Sequence, residues 1–176
     1  MVRYEIVSDS SEIQLDASSS VHPIHTSTRG LTGFVELDDT DGVFSLSESP
    51  AGSSPGELHV PLGELRSGNP LIDRETRRRL DTKSHPEISG MLTSLSHVEG
   101  DRYAATGSVD LMGESVDVEG ELTISYGEAA DAGDDTLRIE GEQVFDVRDW
   151  GIKPPKLLVV KVHPDVTVRI SLLLRP

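Results

Sequence analysis

Histidines are the residues of this sequence whose side chains and spacing could support metal chemistry. His22 and His25 stand in VHPIH, a His-x-x-His spacing, and His163 stands in KVHPD, two residues before Asp165. Imidazole nitrogens and a carboxylate could hold Zn²⁺ or Fe²⁺. Because Pro23 prevents a regular helix from presenting the first pair on one face, surface or structural histidines are favoured. We predict no metal and no other cofactor.

Hydrolytic chemistry would need motifs that the sequence does not contain. Serine, histidine and aspartate are present, but a G-x-S-x-G nucleophile elbow and an H-E-x-x-H zinc motif are both missing. The chain has no cysteine, which excludes a cysteine nucleophile and a thiolate metal site. The DDTDG segment at 38–42 lacks the spaced glutamate and following helix of a calcium loop and predicts a hairpin turn. We therefore predict no catalytic residues; a metal-binding or weakly hydrolytic protein that uses His22 and His25 is the alternative.

One short segment is rich in arginine, RSGNPLIDRETRRRLDTKSHP at 66–86. Asn69 can cap a helix and Pro70 suits the first helical position, so the segment predicts a short helix near 69–82. The side chains expected to contact a sheet are Leu71, Ile72 and Leu80. The remaining surface carries Arg74, Arg77, Arg78 and Arg79. These arginines could bind an anionic head group or form a solvated helix face that acidic neighbours balance.

The rest of the chain is dominated by period-2 alternation of apolar and polar residues, which is typical of β-strands with one buried face. The clearest runs are at 103–111, 116–126, 137–147 and 166–174. Further strands are predicted near 2–7, 12–17, 31–37, 43–47, 57–62, 88–98 and 157–162. Many short strands with one apolar face indicate an all-β, antiparallel sandwich or barrel. Because no linker or internal repeat interrupts the pattern, we predict a single domain over 1–176.

The inner faces of these strands carry glycines among the large apolar residues. Glycines at such positions mark bends or close backbone approach, or leave volume for a ligand. An amide, Gln143, also falls on the apolar face of its strand and needs a backbone, water or ligand partner. The inward-facing set is Tyr103, Ala105, Gly107, Val109, Val118, Gly120, Leu122, Ile139, Gly141, Gln143, Phe145, Val168, Ile170 and Leu172.

The charge of the chain restricts its partners. Acidic residues number 31 against 16 basic ones, a net charge of −15. A surface of that sign repels nucleic-acid backbones and disfavours docking on anionic lipid. The N-terminus has no apolar signal-peptide core, and no apolar run approaches the roughly 20 residues of a membrane span. We predict an acidic, cytoplasmic protein without an integral membrane segment; its oligomeric state, a homodimer included, stays open.

From about residue 58 to the end, the sequence resembles the YceI-like family. The segments that carry the resemblance are LHVPLGELRSGNPLIDRETRRRLDTKSHPEI, GSVDLMGESVDV, FDVRDWGI and VHPDVTVRISL, in that order. They match a segment that leads through a helix to a Pro-x-Ile strand start, a glycine-rich hairpin, an Arg-Asp-Phe-Gly-Ile motif and a final strand. Trp150 stands where the family usually has phenylalanine. The N-terminal third fits less well, because it lacks the histidine of the family's opening strand and VHPIHTSTRG has no counterpart.

The resemblance implies a lipocalin-like, antiparallel β-barrel of about eight strands, with the helix near 69–82 as an insertion and a long apolar interior. The inward-facing set would then line a ligand cavity. The expected function is a non-catalytic binding or carrier protein for a polyisoprenoid, quinone or fatty-acid derivative. A packed barrel that acts through protein contacts is a further alternative. The head-group candidates are Arg74, Arg77, Arg78 and Arg148.

Overall fold

The computed structural model describes residues 1–127, 135–154, 156–157 and 160–176. In this part of the chain, twelve strands and one α-helix form. The strands are β1 (Val2–Ile6), β2 (Glu12–Ser19), β3 (Pro23–Thr28), β4 (Thr32–Thr40), β5 (Val43–Leu46), β6 (Gly56–Pro61), β7 (Glu87–Glu99), β8 (Arg102–Leu111), β9 (Glu114–Tyr126), β10 (Leu137–Asp146), β11 (Lys156–Leu157) and β12 (Val160–Arg175). The helix α1 spans Pro70–Arg79, and a 3₁₀ turn, Val147–Trp150, follows β10.

Eight of these strands close a barrel in the order β1-β4-β6-β7-β8-β9-β10-β12. Neighbouring strands are antiparallel, and β12 returns to β1 through the register pairs Glu5–Arg175 and Ile6–Leu174. The β2–β3 hairpin pairs with β12 beside β1 and extends the sheet on that side. The predicted all-β, antiparallel barrel of about eight strands with one helix is therefore confirmed.

The strand β3 was missed by the sequence analysis. Its first residue is Pro23, and it carries His25, so the VHPIH segment leads into a strand rather than a loop. A proline is tolerated there because it begins the strand. The strand pairs with β2, and Ser27 near its other end forms a backbone bridge with Arg66. The strand predicted at 157–162 corresponds to β11 and the start of β12, and residues 158–159 lie outside the described residues.

Two tight hairpins depend on residues with left-handed backbone conformation. Asp41 and Gly42 have φ of 56° and 82° between β4 and β5, and Met112 and Gly113 have φ of 55° and 78° between β8 and β9. Two consecutive residues with positive φ are the signature of the type I′ turn, whose twist matches that of paired strands. The carboxylate of Asp39 also accepts a hydrogen bond of 2.7 Å from the Gly42 amide. The DDTDG segment is thus a hairpin turn, as predicted.

The helix α1 begins and ends close to the predicted bounds. The side chain of Asn69 accepts hydrogen bonds from the amides of Leu71 and Ile72 at 3.0 and 3.4 Å, which satisfies two donors that the first turn leaves free. Leu71 was expected to pack on the sheet, but its side chain is 55% exposed and does not do so. The described residues contain no helix that is both long enough and apolar enough to cross a membrane.

Two clusters of buried apolar side chains lie toward opposite ends of the barrel. The larger includes Tyr4, Leu37 and Tyr103, and the smaller includes Leu111 and Trp150. Tyr103 and Leu111 are eight residues apart on β8, about 26 Å along an extended strand. Several apolar side chains between the two clusters are only half-buried. The middle of the barrel is therefore less densely packed than its ends.

Candidate functional site

The first cavity lies inside the barrel between the two core clusters. Its volume is about 250 Å³, and its lining is mostly apolar side chains of β6–β10 and β12. Of the fourteen residues predicted to face inward, all except Tyr103 line this cavity. The period-2 pattern brings these residues together because alternate side chains of every strand point to the same face of a sheet.

Tyr103 lies in the packed core instead of on the cavity wall. Its side chain is almost completely buried, and its hydroxyl accepts a hydrogen bond of 3.1 Å from the amide of Phe44. The two rings also pack against each other, with centroids 6.2 Å apart. The tyrosine therefore closes the end of the barrel above the cavity.

The glycines of the cavity wall have different neighbours. A Cβ on Gly107 would lie 2.2 Å from the carbonyl oxygen of Met91, a backbone atom that cannot move aside. A Cβ on Gly141 would meet the end of the Leu122 side chain at 2.7 Å, and one on Gly120 would meet the Gln143 amide at 3.1 Å. Gly107 is thus required for close packing of β8 on β7, whereas the other two glycines make room for the side chains of Leu122 and Gln143.

The second cavity lies below the first and is covered by α1. Its volume is about 350 Å³, and α1 contributes Ile72, Thr76, Arg79 and Leu80 to its wall. Positions four, seven and eight residues after Ile72 lie on the same helix face. The β2–β3 hairpin contributes Ile13, Leu15, Ala17, Ile24 and Thr26. The sequence analysis did not assign these hairpin residues to a site, although the alternation at 12–17 was visible.

The two cavities share part of their walls, which makes them adjacent chambers of one interior. Phe145 is central to this boundary, and its ring packs edge-on against Trp150 with centroids 5.8 Å apart. The indole nitrogen of Trp150 donates a hydrogen bond of 2.9 Å to the carbonyl of Val109. The residues common to both walls are Leu58, Gly90, Val109, Phe145, Val168 and Ile170.

Two of the four arginines of α1 pair with a carboxylate of the same helix. Glu75 accepts from Arg78 at 2.8 Å and from Arg79 at 2.9 Å. Hydrogen bonds from the two guanidinium groups, that of Arg78 first, lower the pKa of Glu75 to about 2. In the described part of the chain, Arg74 and Arg77 form no ion pair.

The four head-group candidates lie outside both cavities. None of Arg74, Arg77, Arg78 and Arg148 belongs to either wall, whereas Arg79 borders the second cavity. Arg148 pairs with Asp146 at 2.7 Å on the surface. This pair raises the pKa of Arg148 and lowers that of Asp146.

The histidines are not brought into one site. The His25 ring lies 2.7 Å from a carboxylate oxygen of Asp16, whereas the His22 ring contacts the carbonyl of Pro23 at 2.9 Å. His163 borders the second cavity. Throughout residues 1–127, 135–154 and 160–176, no cluster of three or more His, Asp or Glu side chains has the arrangement of a metal site.

Comparisons with known proteins agree with this architecture. The model of the YceI-like domain family matches residues 4–174. The structure is similar to that of Burkholderia cenocepacia BcnA, with a TM-score of 0.72 and 12% identity over 96% of this chain and 98% of that chain. A polyisoprenoid binding domain from Saccharophagus degradans has a TM-score of 0.72 and 13% identity, with 98% and 97% of the chains covered. The Campylobacter jejuni YceI protein has a TM-score of 0.65 and 11% identity, with 84% and 82% covered. At such identities these likenesses show the fold, and no curated protein matches the chain.

Proposed function

We propose that this chain, which belongs to the YceI-like family, is a non-catalytic binding or carrier protein that holds a long apolar amphiphile inside its barrel. The observation that carries the proposal is the pair of adjacent apolar cavities of about 250 and 350 Å³. Together they fall within the roughly 300–1,000 Å³ of small-molecule pockets. The similar domain from Saccharophagus degradans is described as polyisoprenoid binding, which supports a polyisoprenoid, quinone or fatty-acid derivative as the ligand class.

The affinity would come mainly from removing the apolar chain of the ligand from water. Each buried CH₂ group contributes about 0.8 kcal/mol, so a few isoprene units can offset the cost of ordering a flexible tail. The half-buried side chains that face the interior, such as Val118, Leu122 and Ile170, would lose their remaining exposure when the ligand enters. Bound lipid would therefore stabilise the barrel in addition to being carried by it.

The surface charge supports a lipid ligand over a nucleic acid. With a net charge of −15, the chain repels polyphosphate backbones. The cavities are lined mainly by glycine and aliphatic side chains, so a lipid chain can bind there without any charged group. A cytoplasmic location and action without a cofactor belong to the same proposal.

The test is native mass spectrometry of the protein purified from its own host, followed by extraction of any bound lipid. We expect an added mass that is released on denaturation and identified as an isoprenoid or fatty amphiphile. The variant Ile170→Trp, which fills the shared wall of both cavities, should lose this mass. The matched variant Val144→Trp places the same ring on the outer face of β10 and should retain it, because Val144 is 56% exposed. An unliganded mass that does not change when prenyl lipids are added would refute the carrier function.

A further inference from the structure

The strands β9 and β10 separate partway along the barrel. They pair from Tyr126–Leu137 to Leu122–Gly141, and no pairing continues beyond that point. Yet β9 stays bonded to β8 as far as Glu114, and β10 stays bonded to β12 as far as Asp146. Each strand thus stays paired with its other neighbour, β8 or β12, while the two strands no longer pair with each other. This leaves a slit in the barrel wall between residues 114–121 and 142–146.

The slit opens onto the first cavity. Gly120 on one edge and Gln143 on the other both line that cavity, as does Gly141, where the pairing ends. Gly120 has no side chain to fill the gap, and the Gln143 amide lies across it, 3.1 Å from the position of a Cβ on Gly120. Gln143 is an exposed residue, and its amide forms no hydrogen bond with the described residues. One movable, uncharged side chain therefore lies over this opening.

The outer rim of the slit is acidic. Glu119 and Glu121 on β9 and Glu142 on β10 point outward, since they alternate with the inward-facing residues. The nearby cations are already paired: Arg102 with Glu121 at 3.2 Å and Arg169 with Glu142 at 2.6 Å. Glu119 forms no ion pair in the described part of the chain. An approaching anion would therefore meet the unpaired carboxylate of Glu119 and no free guanidinium group, because Arg102 and Arg169 are each shared with a further carboxylate, Glu99 and Asp16.

We propose that this slit is the entrance of the cavity and that its rim selects apolar chains with an uncharged head group, such as a hydroxyl, amide or carbonyl. The proposal rests on the carrier function and specifies the ligand class further. Such a head group can hydrogen-bond to the Gln143 amide and to the unpaired backbone edges of β9 and β10, while the chain occupies the interior. A diphosphate or carboxylate would be repelled by the rim.

The charge test compares geranylgeraniol with geranylgeranyl diphosphate, measured by displacement of the neutral dye Nile red. Two like charges 4 Å apart in water change an equilibrium about fivefold, so the alcohol should bind at least about tenfold more tightly in dilute buffer. The difference should shrink in 1 M salt, where the Debye length falls to about 3 Å.

Two variants with the same change in net charge locate the effect. Glu119→Lys should strengthen diphosphate binding several-fold and leave alcohol binding unchanged. Glu48→Lys should change neither, because Glu48 follows β5, which is bonded to β4 on the opposite side of the barrel. If the diphosphate binds as well as the alcohol and loses affinity in Arg74→Gln/Arg77→Gln, the head group lies at α1 and the proposal is wrong.

A cross-link tests the entrance itself. Because the chain has no cysteine, the double variant Gly120→Cys/Gln143→Cys can be closed selectively by oxidation, or by a short bismaleimide if the strands stay too far apart for a disulfide. Uptake of geranylgeraniol should slow at least about tenfold when the slit is closed, and reduction of the disulfide should restore it. The control Thr123→Cys/Glu140→Cys links the same strands where they already pair and should not slow uptake.

The outcomes separate the two proposals. If neither lipid binds, the carrier function fails. If both bind with equal affinity and the closed protein takes them up at the normal rate, the carrier function stands and the slit is neither the entrance nor the selective element.

Discussion

Replacing Phe145 by alanine should join the two cavities into one longer channel. The ring borders both cavities and packs against Trp150, so its removal opens the wall that separates them. A phenylalanine in a dense core costs about 3–5 kcal/mol when truncated. Phe145 is only half-buried and already faces empty space, so we expect a loss of about 2 kcal/mol, which includes the edge-on contact with the indole.

The same substitution should change which chain length binds best. In the wild-type protein the ring would limit how far a bound chain extends toward α1, whereas the variant would bury further CH₂ groups at about 0.8 kcal/mol each. Lengthening the prenol from C15 to C20 should raise the affinity of both proteins. The factor should be at least about ten times larger in Phe145→Ala than in the wild type. The assay compares the dissociation constants of the C15 and C20 prenols by Nile red displacement, alongside urea unfolding of the unliganded proteins.

Controls separate the channel from general damage to the barrel. Phe145→Leu retains part of the wall and should shift the C20-to-C15 ratio less than alanine does. Val144→Ala, next to it on the outer face, should change neither stability nor chain-length preference. The reasoning is refuted if Phe145→Ala loses the expected stability but binds C15 and C20 prenols in the wild-type ratio, because the two cavities would then not accommodate one chain.

Three further predictions concern the scaffold. Asn69→Ala should lower the free energy of unfolding by about 1 kcal/mol through loss of the helix cap, measured by urea unfolding, with Asn69→Asp close to wild type. Gly107→Ala should lower the free energy of unfolding by several kcal/mol or prevent folding, because its Cβ would lie 2.2 Å from a backbone oxygen of Met91. The control Gly63→Ala should be nearly neutral in the same urea unfolding assay, because nothing lies within 4 Å of its Cβ. Since two arginines hold the pKa of Glu75 at about 2, below its ordinary 4.5, this carboxylate stabilises α1 above pH 4.5 and stops doing so as the pH falls toward 2. An NMR titration of the Glu75 carboxyl with a midpoint near 4.5 would contradict that ion pairing.

Much of the first cavity could be predicted from the sequence, because period-2 alternation determines the face of each residue without knowledge of its partners. At Gln143 the alternation predicted the face but not the exposure. The residue lines the cavity as expected, but β9 no longer pairs with β10 at that point, so the amide also reaches solvent through the slit. The end of a strand pairing is a tertiary property that no local pattern reveals.

The second cavity could not be predicted because residues far apart in sequence form it. The β2–β3 hairpin faces α1 only after β12 has paired with β2, and no turn signal predicted β3. Helix rotation explains the remaining differences. Leu71 was expected to contact the sheet, but the face that contains Ile72 and Leu80 covers the cavity and also brings Arg79 to its edge. Apolar residues at both 71 and 72 left two orientations open, and only packing decided between them.

The three cavity glycines resolve an ambiguity that the sequence left between a geometric role and space for a ligand. Gly107 has the geometric role, because the backbone of β7 occupies the place of its Cβ. At Gly120 and Gly141 the nearest atoms belong to the side chains of Gln143 and Leu122, which can move. A methyl group at either position would displace one of these side chains from the wall of the first cavity, so the two glycines make room for the cavity lining. Glycines that shape the wall of an apolar cavity favour a protein that admits a ligand over one whose interior is packed.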